Sequence, residues 1–305
     1  MEKESLPVSI VLGTYNGEKF LKEQLDSIIN QTYTNMEIVV TDDASTDGTK
    51  NILDDYAKKD NRIKIYFNDK NIGLIKNFEK GVQQTHGAYI AFADQDDVWA
   101  VDKIEKLVSN LGDAMLVYCN SEYIDADGKT INRKLTDYRN PVNGRNLFLA
   151  DEDSGMWVAG HALLFRRELL DAALPFTPYV PHDMWMACIA MLKGNIRFIP
   201  DALAFYRQHG NNACGALGSH NKKRPPSHED KVKSSVGRIE ALLNVLPPEE
   251  IEFRFYLEKM KTYLLHPTFA NRVKKVALRM KYANKIYAPR KRNIFRKWFK
   301  ALKSF

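Results

Sequence analysis

Three carboxylates stand within four positions at Asp94-Gln95-Asp96-Asp97, directly after an uninterrupted run of apolar and small residues, Ala88 to Ala93. Like charges this close repel, and taking them unpaired out of water is costly, so the cluster demands a cation. Oxygen-only ligands suit a hard divalent ion such as Mg2+ or Mn2+, which usually also takes oxygens from a substrate phosphate. The competing reading is an acidic turn in which Asp97 or Asp102 caps a helix starting near Val101. Two other apolar runs end on polar groups in the same way: Val8–Leu12 before Thr14-Tyr15-Asn16, and Met36–Val40 before Asp42-Asp43. Downstream, Asp183 lies in Pro181-His182-Asp183-Met184-Trp185, where a helix opens, and the helix dipole favours an ionised carboxylate in a first turn. His209 sits in the polar stretch Arg207–Asn212.

These residues need a frame to bring them together. Val8–Leu12, Met36–Val40, Ile63–Phe67 and Ala88–Ala93 read as strands, rich in β-branched and apolar residues. Between them lie helical stretches: one carries Phe20, Leu21, Leu25, Ile28 and Ile29 on one face, the next Ile52, Leu53 and Tyr56, the third spans Leu74 to Gln84. Ser45-Thr-Asp-Gly48 supplies capping residues for the second. Strands alternating with helices predict an α/β fold built on a mostly parallel sheet covered on both faces. Ligands of such sheets bind beyond the carboxyl ends of the strands. Three polar strand ends, about 80 residues apart at the extremes, therefore converge on one rim. After Leu111 the pattern changes: Met115–Asn120 is a further strand, Asp125-Ala-Asp-Gly128 a hairpin turn, and Leu203 onward a short strand.

Taken together, Val8–Asn16, Asp42–Thr49, Asn71-Ile-Gly73 with Lys76-Asn77, and Asp94–Trp99 resemble the family 2 glycosyltransferases, nucleotide-sugar-dependent inverting enzymes of the GT-A fold. The resemblance covers roughly residues 5–215. It implies that Tyr15 and Asp43, flanked by Thr14 and Asn16, contact the nucleotide base, that Asp94 meets its ribose, and that Asp96 holds the metal bridging the diphosphate. Lys76 stands where the family often has Arg and keeps the positive charge. Asp183 resembles the family's catalytic carboxylate. The segment Tyr-Arg-x-His-x-x-Asn recurs in such transferases near the donor phosphates, so His209 completes the metal shell or binds diphosphate. His-Asp followed by Trp is similar to members that transfer rhamnose or related sugars in bacterial surface polysaccharide assembly. Trp157, His161, His182 and Trp185 are expected on the acceptor side. For Trp157 and His161 a purely structural place in the core is an equal or stronger reading.

Size and charge set further limits. A chain of 305 residues, 44% hydrophobic and 11% aromatic, can bury a large core and is not of disordered composition. Cys119, Cys188 and Cys214 are odd in number and widely spaced, which predicts reduced thiols. The first residues lack a signal-peptide layout and no apolar run approaches a membrane span, so a cytoplasmic protein is expected. The net charge of +7 conceals an asymmetry: Lys259–Phe305 holds 15 basic and no acidic residues, against 30 basic and 38 acidic before it. We read a catalytic domain over 1–215, a flexible linker over 216–230 in the stretch Gly210–Ser227 that is rich in Gly, Asn, Lys and Pro, and a basic helical region over 231–305. Val273, Val276, Ala277, Met280 and Tyr287, then Ile294, Phe295, Trp298, Phe299, Leu302 and Phe305, repeat at helical spacing among basic residues. Such a face predicts attachment to the anionic inner surface of the cell membrane, the alternative being that the stripes pack internally. The predicted activity is transfer of a sugar from a UDP- or dTDP-linked donor to a glycan acceptor, in particular a lipid-linked one. Three rivals are a nucleotidyl- or phosphosugar-transferase on the same fold, an inactive scaffold that merely retains the fold, and a basic nucleic-acid-binding protein. The net negative body argues against nucleic acid.

Overall fold

The structure is a computed structural model and describes residues 5–138, 141–151, 154, 156–210 and 227–286. The chain begins as alternating strands and helices: β1 (Val8–Thr14), α1 (Leu21–Ile29), β2 (Met36–Asp42), α2 (Thr49–Lys59), β3 (Ile63–Phe67), α3 (Leu74–Gln83) and β4 (Tyr89–Asp94). It continues through β5 (Val98–Trp99), α4 (Lys103–Leu111), β6 (Leu116–Ile124), β7 (Thr130–Lys134) and α5 (Leu135–Tyr138). Then come β8 (Leu163–Arg166), α6 (Leu170–Ala173), α7 (His182–Lys193) and β9 (Ile196–Arg207), and four helices close the described chain: α8 (His228–Val245), α9 (Ile251–Leu265), α10 (Phe269–Lys281) and α11 (Ala283–Ile286). No helix among the described residues is long and apolar enough to cross a membrane.

The strands form one sheet in the order β3-β2-β1-β4-β8-β6-β9-β5, with β7 paired to β6. The first four are parallel, in a register that sets Ile10 between Ile38 and Ala91. Buried on both faces, β1 reads Val-Ser-Ile-Val-Leu, as a central parallel strand should. Its alternation sorts the core in two: Val8, Ile10 and Leu12 pack under α1, α2 and α4, while Val11 joins Phe78, Phe92 and α7 on the other face.

Beyond β4 the sheet becomes mixed. β8 runs antiparallel to both β4 and β6, β5 antiparallel to β9, and β7 antiparallel to β6, leaving β6–β9 as the one further parallel pair among the described residues. One reason is local: β6 turns directly into β7 at the predicted hairpin. There Asp125 accepts from the amides of Asp127 and Lys129, both at 2.9 Å, and Gly128 takes φ +78°. Asp102, expected as a cap, makes no capping hydrogen bond and pairs with Lys106 instead at 2.8 Å.

Helices α8–α11 lie on the same core as α7. Ile239, Leu242, Phe253, Tyr256, Met260, Tyr282 and Ile286 are buried with Trp185, Met186 and Ile189. Ser227 and Asp230 form a capping box that starts α8, and Gly237 makes room within it: a Cβ there would stand 2.4 Å from the Tyr179 ring. The apolar stripe expected across 273–287 divides, with Val276 buried and Val273 exposed. Tyr287, the stripe from Ile294 to Phe305, Cys214 and the linker up to residue 226 lie outside the described residues. Cys119 and Cys188 are buried free thiols.

Candidate active site

The carboxyl ends of β1, β2 and β4 meet on one rim, because parallel neighbours in register must end together. At β1, Thr14 donates from Oγ1 to Asp42 Oδ2 at 2.9 Å, and the amide of Asn16 donates to Ser45 Oγ at 2.9 Å. Asn16 sits at φ +49° and its side-chain oxygen accepts from the Thr46 amide at 2.8 Å, so it ties the two loops together. Asp43 is buried and its carboxylate accepts from Asn68 Nδ2 (3.0 Å) and from the amides of Ile72 (2.8 Å) and Gly73 (2.9 Å). Its position fixes the Asn71–Gly73 turn. Tyr15, by contrast, presents a half-exposed ring at the rim. Lys76 is spent on Glu79, 2.7 Å away.

The acidic loop divides its three carboxylates between two histidines. Asp96 Oδ2 lies 2.8 Å from His209 Nε2, near the surface. Asp97 points inward and is fully buried, with Oδ2 3.3 Å from His161 Nδ1 and Oδ1 accepting from the Arg207 amide at 3.0 Å. Asp94 Oδ2 is 3.8 Å from the same His161 nitrogen. His161 is itself buried; its Nε2 meets Ser121 Oγ at 2.8 Å and its ring stacks on Tyr206 at 4.7 Å. Burial pushes the Asp97 carboxyl up to about 8, aided by the charges of Asp96 and Asp94. Burial also opposes ionisation of Asp94, yet the contact and charge of His161 outweigh it and hold that carboxyl below its ordinary range. For His161, burial favours the neutral ring, but the charges of Asp97 and Asp94 win and raise it.

Two residues given no role by the sequence reading complete this arrangement, Lys103 and the Arg207 of the Tyr-Arg-x-His segment. Lys103, in the first turn of α4, is fully buried; its ammonium donates to the His161 carbonyl at 2.5 Å and lies 3.2 Å from the Trp99 ring centroid. Burial pulls it down to about 7 against the charges of Cys119, Asp97 and Asp94. Arg207 is equally buried. It donates to the Asp96 carbonyl (2.9 Å), to Glu23 (2.6 Å) and to the carbonyl of Ala126 (3.2 Å), and stacks on Phe20, whose ring faces His209 at 4.8 Å. One guanidinium thus joins α1, the acidic loop and the β6–β7 hairpin.

Asp183 enters from α7. Its Oδ2 accepts from the Gly160 amide at 3.0 Å and its Oδ1 from the Met184 amide at 2.7 Å. Burial raises its carboxyl above the usual range, and the charge of Asp94 adds to this against His182 and the two amides. Next to it, His182 stacks on Phe78 at 4.0 Å, and neither ring nitrogen has a hydrogen-bond partner. Burial keeps that ring neutral. Trp185 belongs to the core: it is buried and donates its indole N–H to the Ala173 carbonyl at 2.9 Å. Trp157 is half-buried and packs against the core on the α1 side. Of the residues expected at the acceptor side, His161 and His182 are therefore brought to the carboxylates, Trp157 lies at the edge and Trp185 in the interior.

Asp94, Asp97 and His161 offer ligand atoms that all lie within 4.8 Å of one another and could hold a metal. A mixed carboxylate–imidazole set singles out no one divalent ion. In this inner trio, however, the buried Lys103 ammonium already supplies positive charge, and an ion would have to share the space with it. Asp96 and His209 form a second, outer pair nearer the surface, beside the Arg207 guanidinium that binds the Asp96 carbonyl.

A twisted sheet with a parallel nucleotide-type half, a mixed second half and acidic loops on the carboxyl rim is the GT-A transferase fold. The solved structures agree. The chain superposes on Staphylococcus aureus TarS (residues 1–349, in complex with UDP-GlcNAc) with a TM-score of 0.64 and 17% identity, over 92% of this chain and 82% of that one. It also matches the mannosyltransferase PcManGT of Pyrobaculum calidifontis, in complex with GDP-Man and Mn2+, with a TM-score of 0.52 and 20% identity, over 97% and 85%. Residues 9–174 match the family described as Glycosyl transferase family 2, and the chain belongs to that family. It is 28% identical over 243 residues to an uncharacterised glycosyltransferase of Nostoc sp., covering 76% of this chain and 72% of the relative. Over 99 residues, 32% of this chain and 39% of the relative, it is 36% identical to TuaG of Bacillus subtilis, which is named for teichuronic acid biosynthesis.

Proposed function

We propose that this glycosyltransferase moves a sugar from a UDP- or dTDP-linked donor to a hydroxyl of a glycan acceptor, with inversion, in the assembly of a bacterial surface polysaccharide. The observation that carries the reading is the meeting of Asp183 with Asp94 at the rim, from positions 89 residues apart in the chain. Asp94 is held ionised, as a carboxylate that accepts from ribose hydroxyls must be, while the raised Asp183 carboxyl is the more basic of the two, as a general base requires. Asp183 removes the proton of the acceptor hydroxyl as that oxygen attacks the anomeric carbon from the face opposite the diphosphate. The Gly160 amide holds Oδ2 in place for this. A single displacement needs one base and inverts the centre.

On the donor side, Tyr15 covers the nucleotide base, with Asp43 setting the loop beside it and Thr14 and Asn16 holding the strand end. Asp94 meets the ribose. Asp96 and His209, with Asp94 in support, are the residues that would hold Mn2+ or Mg2+; such an ion, when bound, neutralises charge on the leaving diphosphate. Lys76 must leave Glu79 to reach a phosphate. His182, buried with two unpartnered nitrogens beside Asp183, is suited to hydrogen-bond a sugar hydroxyl. A lipid-linked acceptor at the inner membrane face is consistent with the basic C-terminal region and its attachment to an anionic surface. The test is a screen of nucleotide sugars with Mn2+ by thermal shift, followed by product analysis. Free nucleoside diphosphate and an inverted anomeric centre are expected. Release of pyrophosphate or of a nucleoside monophosphate would overturn the reading in favour of nucleotidyl or phosphosugar transfer.

A further inference from the structure

β1 and β4 pair in parallel as far as Gly13 opposite Asp94, and then the two chains diverge into their loops. Across the gap stands the side chain of Gln95. Its Oε1 accepts from the Tyr15 amide at 2.8 Å and its Nε2 donates to the Tyr15 carbonyl at 3.0 Å. A carboxamide that both accepts from and donates to one residue's main chain reproduces a rung of sheet beyond the point where the strands themselves can make one. On one side of this rung is Tyr15; on the other, Asp94 and Asp96 flank Gln95 directly. Gly17 marks the same feature in the sequence, since a Cβ there would stand 2.3 Å from Gln95 Oε1 and 2.6 Å from its amide carbon. The glycine leaves the space that the carboxamide occupies.

We propose that Gln95 is a positioning residue that fixes the distance between the nucleoside end and the diphosphate end of the donor site. The proposal rests on the donor-binding reading above. With the rung in place, the Tyr15 loop and the acidic loop form one rigid edge, and a donor engages both without ordering either. With it broken, each loop still folds, held by the Asn16–Thr46 and Arg207–Asp96 contacts, but binding must first restore their separation. The loss should fall on donor affinity rather than on the chemical step.

Three variants test this: Gln95→Ala, Gly17→Ala and the double variant. Gly17→Ala displaces only the far end of a flexible side chain, so the fold should survive while the rung is lost. In the free protein, hydrogen exchange at the Tyr15 amide should accelerate at least tenfold in both single variants, since its acceptor is gone. Titration with UDP and with dTDP in the presence of Mn2+ should give about tenfold weaker binding for each single variant, as expected for two modest hydrogen bonds. The double variant should be no worse than either single one, because the alanine methyl then has nothing to displace. In turnover, the donor KM should rise with kcat at saturating donor within about twofold. Unchanged exchange at Tyr15, or additive losses in the double variant, would overturn the proposal. Wild-type protein that binds neither diphosphate would overturn the donor class instead, while the exchange measurement still decides the role of Gln95.

Discussion

Replacing Asp183 by asparagine separates the chemistry of this residue from its place in the fold. The carboxylate accepts two amide N–H bonds, from Gly160 at 3.0 Å and Met184 at 2.7 Å. Asparagine has a single acceptor oxygen, so one of those amides meets the new NH2 group, at a cost of about 0.5–1.5 kcal/mol. Against this, the substitution removes a carboxylate that burial destabilises. The sign follows from its raised folded value: the native state holds the proton more tightly than the unfolded chain, so stability is lost as pH rises from the ordinary carboxylate range through that raised value. At neutral pH the variant is relieved of this loss and should be as stable as the parent or more so; in acid, where both side chains are neutral, only the amide mismatch remains. Transfer should fall ~10²–10⁴-fold, because asparagine cannot take the acceptor proton. Single-turnover rates with donor and enzyme preincubated, together with melting curves across pH, measure both effects. Less than about tenfold loss of rate would mean that another group is the base. A clear loss of stability at neutral pH would refute the account of burial.

The other expectations concern the rim and the C-terminal region. Asp96→Ala should abolish turnover and metal-dependent donor binding with the fold intact, as it relieves crowding among three carboxylates; full activity in the presence of EDTA would remove the metal from Asp96. Asp43→Ala leaves the amides of Ile72 and Gly73 without their acceptor and should cost about 1–3 kcal/mol, with weaker donor binding, read by denaturant unfolding and titration; unchanged stability would mean that water replaces the carboxylate freely. Deleting Arg290–Phe305, which removes seven basic residues worth ~1 kcal/mol each at an anionic surface before screening, should release the protein from anionic vesicles while sparing transfer to a soluble acceptor analogue. Equal co-sedimentation of full-length and shortened protein would place the aromatic stripe inside the molecule.

The parallel half of the sheet could be read in advance because four largely apolar runs, spaced by helical stretches, each end on a polar group, a pattern with one simple solution. Likewise Asp125–Gly128 declared its hairpin through turn chemistry alone. The second half was less legible: β8 is only four residues long, and its place between β4 and β6 depends on contacts made far along the chain. At the site, the Asp94–Asp97 cluster stood out through its spacing, while His209 and the role of Asp183 were read from the family resemblance. His161 was seen but not its bond to Asp97, which depends on a single helical turn at Gly160–Ala162 that turns the ring inward. Lys103 carried no signal, since a lysine in the first turn of an amphipathic helix normally faces water. Its burial follows from the pocket that Trp99, Cys119 and the His161 carbonyl make for it.

The packing of α8–α11 on α7 has a consequence for how such a chain can change over generations. Arg238 contacts Cys188, and Tyr179 rides on Gly237, so the surface that receives the last helices is the back of the helix that carries Asp183. A recombination joint in the stretch between β9 and α8, the obvious place to graft on another C-terminus, would leave α7 facing an unfamiliar surface. The two parts therefore share one core, and a graft at that joint should lower the stability of the helix that carries Asp183.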